Sequence, residues 1–138
     1  MAAKRLQVKQ KPTFRRRRGR VWPPAPDAAK RPAMTIEIIA PADCRTMREV
    51  RAGVDSLDRR LVELLAERFG YMDAAARIKG ERAAVRDEAR KAEVIANAAA
   101  HAAELGVPVT LVADVWEQLV EASIAYEFDR FDEIRAGV

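Results

Sequence analysis

Residues 47–79 read MREVRAGVDSLDRRLVELLAERFGYMDAAARIK, and the spacing of their apolar residues decides the fold. Met47, Val50, Val54, Leu57, Leu61 and Leu64 step alternately by three and four residues, the stripe of one buried helix face. The next step lands on Arg68, a cation where the pattern asks for leucine, and the rhythm resumes at Tyr71, Ala75 and Ile78. A guanidinium is costly to bury without an anion beside it. No Asp or Glu occupies the seam of this helix nearby. The partner is therefore a carboxylate from another helix or an anionic ligand; the plainer alternative is a snorkelling arginine paired inside the chain.

Lys79 lies eleven residues beyond Arg68, close to three full turns, so both cations point along one face. Arg51 does not join them. It precedes Arg68 by seventeen residues, about 25 Å along the axis and rotated by about a quarter turn. If it binds the same kind of anion, it does so in another copy of the site.

Outward from this segment, Thr46-Met47-Arg48-Glu49 has the form of a capping box. The first helix runs from there to about Lys79, with Gly80 as its terminator. A second helix is expected from about Asp87 to Leu105, stopped by Gly106 and Pro108. A third runs from about Thr110 to Arg135 with the stripe Val112, Trp116, Leu119, Ser123, Tyr126 or Glu127, and Arg130. No segment alternates convincingly as a strand, so the core is expected to be all-α. The first helix, about 34 residues, measures roughly 50 Å, against about 30 Å for a compact domain of this size. Two shorter helices cannot cover so long a stripe. A second copy packed antiparallel can, which predicts an intertwined homodimer and brings Arg51 of one chain toward Arg68 and Lys79 of the other.

The charge is divided unevenly. Residues 1–33 carry eleven Lys or Arg against one acid (Asp27), so the net +4 of the chain leaves −6 on residues 34–138. That basic segment holds five of the seven prolines and no apolar periodicity, and is expected to be disordered. The favoured reading takes Met34 as the true start. A nucleic-acid arm has only an isolated arginine run behind it, and an organelle-targeting segment lacks serine and an amphipathic helix. No apolar run approaches the ~20 residues of a membrane span and no signal peptide is apparent, so a cytoplasmic protein is expected. One cysteine (Cys44) excludes an internal disulfide, and the single histidine (His101) sits in an alanine-rich helix. With no phosphate loop, HExxH or CxxC, chemistry here is expected to need neither metal, cofactor nor histidine base.

Glu127 falls on the third stripe four residues after Ser123, so both face inward. Asp87, Arg90 and Lys91 open the second helix. Three arginines, one or two lysines, a serine and one glutamate thus project into a bundle, a setting suited to a small dicarboxylate gripped by arginine forks. A buried network in which Glu127 neutralises Arg68 is the alternative, though one carboxylate cannot balance so many cations.

The arrangement resembles the all-helical chorismate mutases and their relatives, the isochorismate pyruvate lyases, over about residues 41–135. The segments carrying the likeness are VRAGVDSLDRRLVELLAERFGYMDAAARIK, VRDEARKAEVI and LVADVWEQLVEASIAYEFDRF. The resemblance implies that Arg51 is donated across the dimer and that Arg68 and Arg90 clamp the substrate carboxylates. It implies that Lys79 hydrogen-bonds the ether oxygen of the breaking bond, and that Asp87 and Ser123 contact the ring hydroxyl and a carboxylate. Two positions depart from the bacterial pattern. Lys91 stands where a glutamate usually holds the ring hydroxyl, which bears on hydroxyl recognition. Glu127 stands where a glutamine often shares the ether oxygen with the lysine, which should make activity depend on pH. The implied chemistry is the Claisen rearrangement of chorismate to prephenate, needing no nucleophile and no base. The lyase reaction on isochorismate, giving salicylate and pyruvate, is the alternative that YMDAAARIK, the PADC lead-in and the gap from Lys79 to Arg90 resemble more closely. A non-catalytic helical dimer is the reading from another class; it predicts cations that are salt-bridged or solvated.

Overall fold

The computed structural model describes residues 37–137. The expectations for residues 1–33 and for Met34 as a start lie outside the described residues. Among the described residues every regular element is helical: α1 (Met47–Ile78), α2 (Glu88–Leu105) and α3 (Val109–Arg135), with 3-10 turns at Pro41–Asp43 and Arg82–Val85. No described helix is long and apolar enough to cross a membrane. At 32 and 27 residues, α1 and α3 are nearly matched in length.

Local chemistry sets the boundaries. The Thr46 hydroxyl accepts from the Glu49 amide at 3.3 Å, and the Glu49 carboxylate accepts from the amides of Thr46 and Arg45 at 2.8 and 2.7 Å. This satisfies donors that a helix start leaves free. At the other end of α1, Lys79 leaves the helix in an extended conformation (ψ 130°), so the exit does not use a left-handed Gly80. Asp87 caps α2 by accepting from the Arg90 amide at 2.9 Å. Gly106, at φ 71°, supplies the left-handed residue that ends α2, and Pro108 leads directly into α3.

The central helix is α3, which packs against both α1 and α2. Val120, Ile124 and Phe131 of α3 meet Ala76 of α1 and Val85 of the connecting turn, with Val94, Ile95 and Phe128 packed around them. The α1–α3 register is fixed by Asp73, which accepts from the Tyr126 hydroxyl at 2.9 Å and from Arg130 Nε at 2.8 Å. Phe69 meets the Tyr126 ring edge-on at 5.0 Å. Burial, and then the Asp73 carboxylate, push the Tyr126 phenol up to about 12, so it is a hydrogen-bond donor at any ordinary pH.

The α1–α3 contact covers only the C-terminal part of α1. Leu57, Leu61 and Leu64, expected on a buried face, are 52%, 57% and 59% exposed within this chain, and Met47 and Val54 also stand open. A row of large apolar side chains left in water on one helix face marks an interaction surface.

On the opposite flank, Arg86 and Lys91 converge on α3. Glu121 accepts from Arg86 at 2.8 Å and from Lys91 at 2.6 Å, and Lys91 also reaches Glu117 at 2.5 Å. Hydrogen bonds from Arg86 and Lys91 hold the Glu121 carboxyl at about 2, below its ordinary 4.5. A depressed carboxylate contributes stability that is complete above its unfolded value and is lost as pH falls toward the folded one. The melting temperature should therefore decline between about pH 4.5 and 2. Because Glu121 is only partly buried, solvent screens the pair, and Glu121→Gln is expected to lower the melting temperature at neutral pH by only about 3–5 °C. The variant's melting temperature should also fall less steeply over the acid range. Thermal melts followed by circular dichroism at stepped pH check both; parallel curves for the two proteins would contradict the assignment.

Candidate active site

One face of α3 addresses both cations of α1. Ser123, Glu127, Phe131 and Arg135 follow one another at four-residue intervals, so their side chains form an inclined row on that helix. Ser123 and Glu127 are polar yet only 2% and 4% exposed. Polar groups buried this deeply need partners, and theirs are on α1.

Arg68 donates through NH1 to the Ser123 hydroxyl, which in turn donates to the Leu119 carbonyl at 2.6 Å. The hydroxyl is thus satisfied in both directions and fixed in orientation. Arg68 itself has no acidic partner among the described residues, and burial lowers its pKa from the usual guanidinium value. The pairing of Arg68 with Glu127, one alternative from the sequence, is not formed. Glu127 lies instead against Lys79, with Nζ 2.6 Å from Oε1. Because Glu127 is buried, the Lys79 ammonium is what compensates its charge.

The remaining expected residues are placed differently. The Asp87 side chain accepts from the Arg90 amide as the cap of α2, and the Arg90 guanidinium bonds Glu93 at 2.6 Å on the exposed side of that helix. Arg51 is exposed on the second turn of α1, on the part of the helix that α3 does not cover. Lys91 is engaged with Glu117 and Glu121, so its ammonium is directed at α3 acids. The chain brings together Arg68 with Ser123 and Lys79 with Glu127. It does not bring Arg51 or the Arg90 head group into side-chain contact with them.

Two groups went unnoticed in the sequence. Asp73 ties Tyr126 and Arg130 midway between Arg68 and Lys79 along α1. Arg135 donates to the carbonyls of Ala76, at 3.0 Å, and Lys79 at the α1 terminus. The four-residue row from Ser123 was a usable signal for Arg135; nothing local pointed to Asp73, because its partners depend on the register between two helices.

What this arrangement can do is bind negative charge. Arg68 supplies a half-buried cation oriented by a neutral hydroxyl, and Lys79 an ammonium opposite a buried acid. An anion arriving at Arg68 meets a guanidinium without a competing carboxylate, so its charge is compensated where none was before.

Comparison with known proteins bears on the same helices. Residues 50–128 match the family described as chorismate mutase type II. The chain is 28% identical over 97 residues to an isochorismate pyruvate lyase of Pseudomonas aeruginosa, covering 70% of this chain and 96% of that protein.

Proposed function

The chain belongs to the chorismate mutase type II family, and from that premise we propose that it catalyses the rearrangement of chorismate to prephenate. The observation that carries the proposal is Arg68: a half-buried guanidinium oriented by Ser123 and lacking an acidic partner among the described residues. A substrate carboxylate supplies the missing charge. Lys79 then faces the ether oxygen, where negative charge builds as the carbon–oxygen bond breaks and the new carbon–carbon bond forms. Holding the two reacting ends together and stabilising that charge is sufficient for a concerted rearrangement.

The second carboxylate falls to Arg90 and to Arg51 of the partner subunit. Arg90 is held only by Glu93 on a water-exposed face, from which a side chain this long can swing at little cost. Support for a homodimer comes from α1, whose Leu57, Leu61 and Leu64 are uncovered by their own chain. A second α1 laid antiparallel buries that row and completes two sites. Sedimentation at micromolar concentration should give the mass of two chains; a fully active monomer would contradict this arrangement.

The lyase reaction is the second reading, favoured by the likeness to the Pseudomonas aeruginosa protein. The same cations would grip isochorismate while pyruvate departs. Incubation with chorismate and isochorismate in turn separates the two. Prephenate from the first supports the mutase reading, and salicylate with pyruvate from the second supports the lyase. Conversion of neither leaves a helical binding module.

A further inference from the structure

Lys79 is an unusual place for a group that must be held still. It is the first residue beyond α1 and has already turned to an extended conformation, with ψ 130°. A side chain in mid-helix is braced by the turns on either side, whereas one at a terminus takes its aim from wherever its own peptide is fixed. The Lys79 amide is fixed in the ordinary way, donating to the Ala75 carbonyl at 2.9 Å. Its carbonyl is not part of any helix, and the Ala76 carbonyl has lost the amide of residue 80 that a continuing helix would have supplied.

Arg135 takes both. Its NH1 donates to Ala76 O at 3.0 Å and its NH2 to Lys79 O. A planar fork can serve two carbonyls at once, which lysine cannot do with one point of charge. A cation at this end of a helix is also favoured by the helix dipole. The guanidinium is steadied from beneath by the Phe131 ring, 3.7 Å from its centroid, and Phe131 is buried in the core. Glu127, Phe131 and Arg135 are consecutive members of the four-residue row on α3. The helix that meets the Lys79 ammonium with one residue therefore holds the Lys79 peptide with another, two turns away.

We propose that Arg135 is a positioning residue for Lys79, fixing its backbone so that the ammonium lies where the ether oxygen of the substrate will be. The proposal rests on the reading of Lys79 as the group that stabilises the breaking bond. Arg135 touches no substrate. Its removal leaves substrate capture to the arginines and loosens only the group that acts in the transition state.

The test uses full-length protein and whichever of chorismate and isochorismate the wild type converts. Arg135→Met keeps the apolar stem over Phe131 and removes the fork. It is expected to lower kcat by about 10–10²-fold, the effect of a small displacement of a reacting group, with KM within about twofold of wild type. Arg135→Lys, which keeps the charge without the fork, should fall between the two. In a Lys79→Ala background, Arg135→Met should cause no further loss, because two residues acting through one group are not additive. A general loss of structure would instead lower activity in both backgrounds and raise KM. An unchanged kcat in Arg135→Met, or an equal loss with and without Lys79, overturns the proposal while leaving the functional reading intact. A folded wild type that converts neither substrate overturns the functional reading and the proposal with it.

Discussion

Mixed in equal amounts and refolded together, the Arg51→Ala and Arg68→Ala proteins are expected to regain about a quarter of the wild-type sites, each being almost inactive alone. Removing an arginine that fixes a substrate carboxylate misplaces the reacting ends, and a small misplacement costs about 10²-fold in rate. The two residues lie seventeen positions apart on one helix, about 25 Å along its axis, too far to hold one small molecule from the same chain. In an antiparallel pair the arginine near the start of one α1 lies beside the arginine in the second half of the other. Half of the dimers formed at random contain one chain of each kind. In these, one site collects both intact arginines and the other collects neither, which gives about one site in four. Circular dichroism establishes that each variant is folded, and sedimentation establishes that dimers form. Mixed dimers without any recovered turnover would show that Arg51 does not serve the site of its neighbour.

Glu127 should govern how well Lys79 stabilises the breaking bond. It is buried and in close ion contact with Lys79 at 2.6 Å. An ionised carboxylate there acts against the reaction twice. It competes with the substrate oxygen for the ammonium of Lys79, and it repels charge as that charge develops. A neutral amide at this position does neither, and can donate a hydrogen bond to the ether oxygen. Glu127→Gln offers an amide donor and should turn over at least as fast as the wild type at neutral pH. Glu127→Ala has no donor and should fall about 10²–10³ below Glu127→Gln in kcat. Glutamine and alanine variants with the same kcat would place Glu127 away from the breaking bond.

Much of the fold was legible because helices announce themselves locally. The capping box at Thr46 and Glu49, the Gly106 stop and the three-and-four spacing each depend on residues within one turn of one another. Arg68 and Glu127 stood out for the same reason: each interrupts an apolar row on its own helix, and a charge in such a row needs an explanation. The pairing between rows was not legible. Nothing in the sequence said that Glu127 would meet Lys79 in preference to Arg68, since both lie on one face of α1 and the choice depends on how far α3 slides along it. That slide is fixed by Asp73 with Tyr126 and Arg130, contacts more than fifty residues apart. Asp87 shows the converse. Its place at the head of α2 was legible, but the same carboxylate serves as a helix cap, so position alone did not reveal what it touches.

The four-residue row on α3 has a consequence for how this protein can change in length. Each residue added to an α-helix turns everything beyond it by about 100°. An insertion or deletion between Ser123 and Arg135 would therefore swing Glu127, Phe131 and Arg135, or whichever of them lies downstream, off the face that meets α1. The hydroxyl behind Arg68 would stay in place while the acid and the fork that attend Lys79 pointed elsewhere. The turn around Gly106 imposes no such phase, because a residue added there lengthens a loop and rotates no contact. Descendants of this gene are thus free to grow or shrink between the second and third helices. Within the third, substitutions can be explored one at a time, but the spacing is closed to revision.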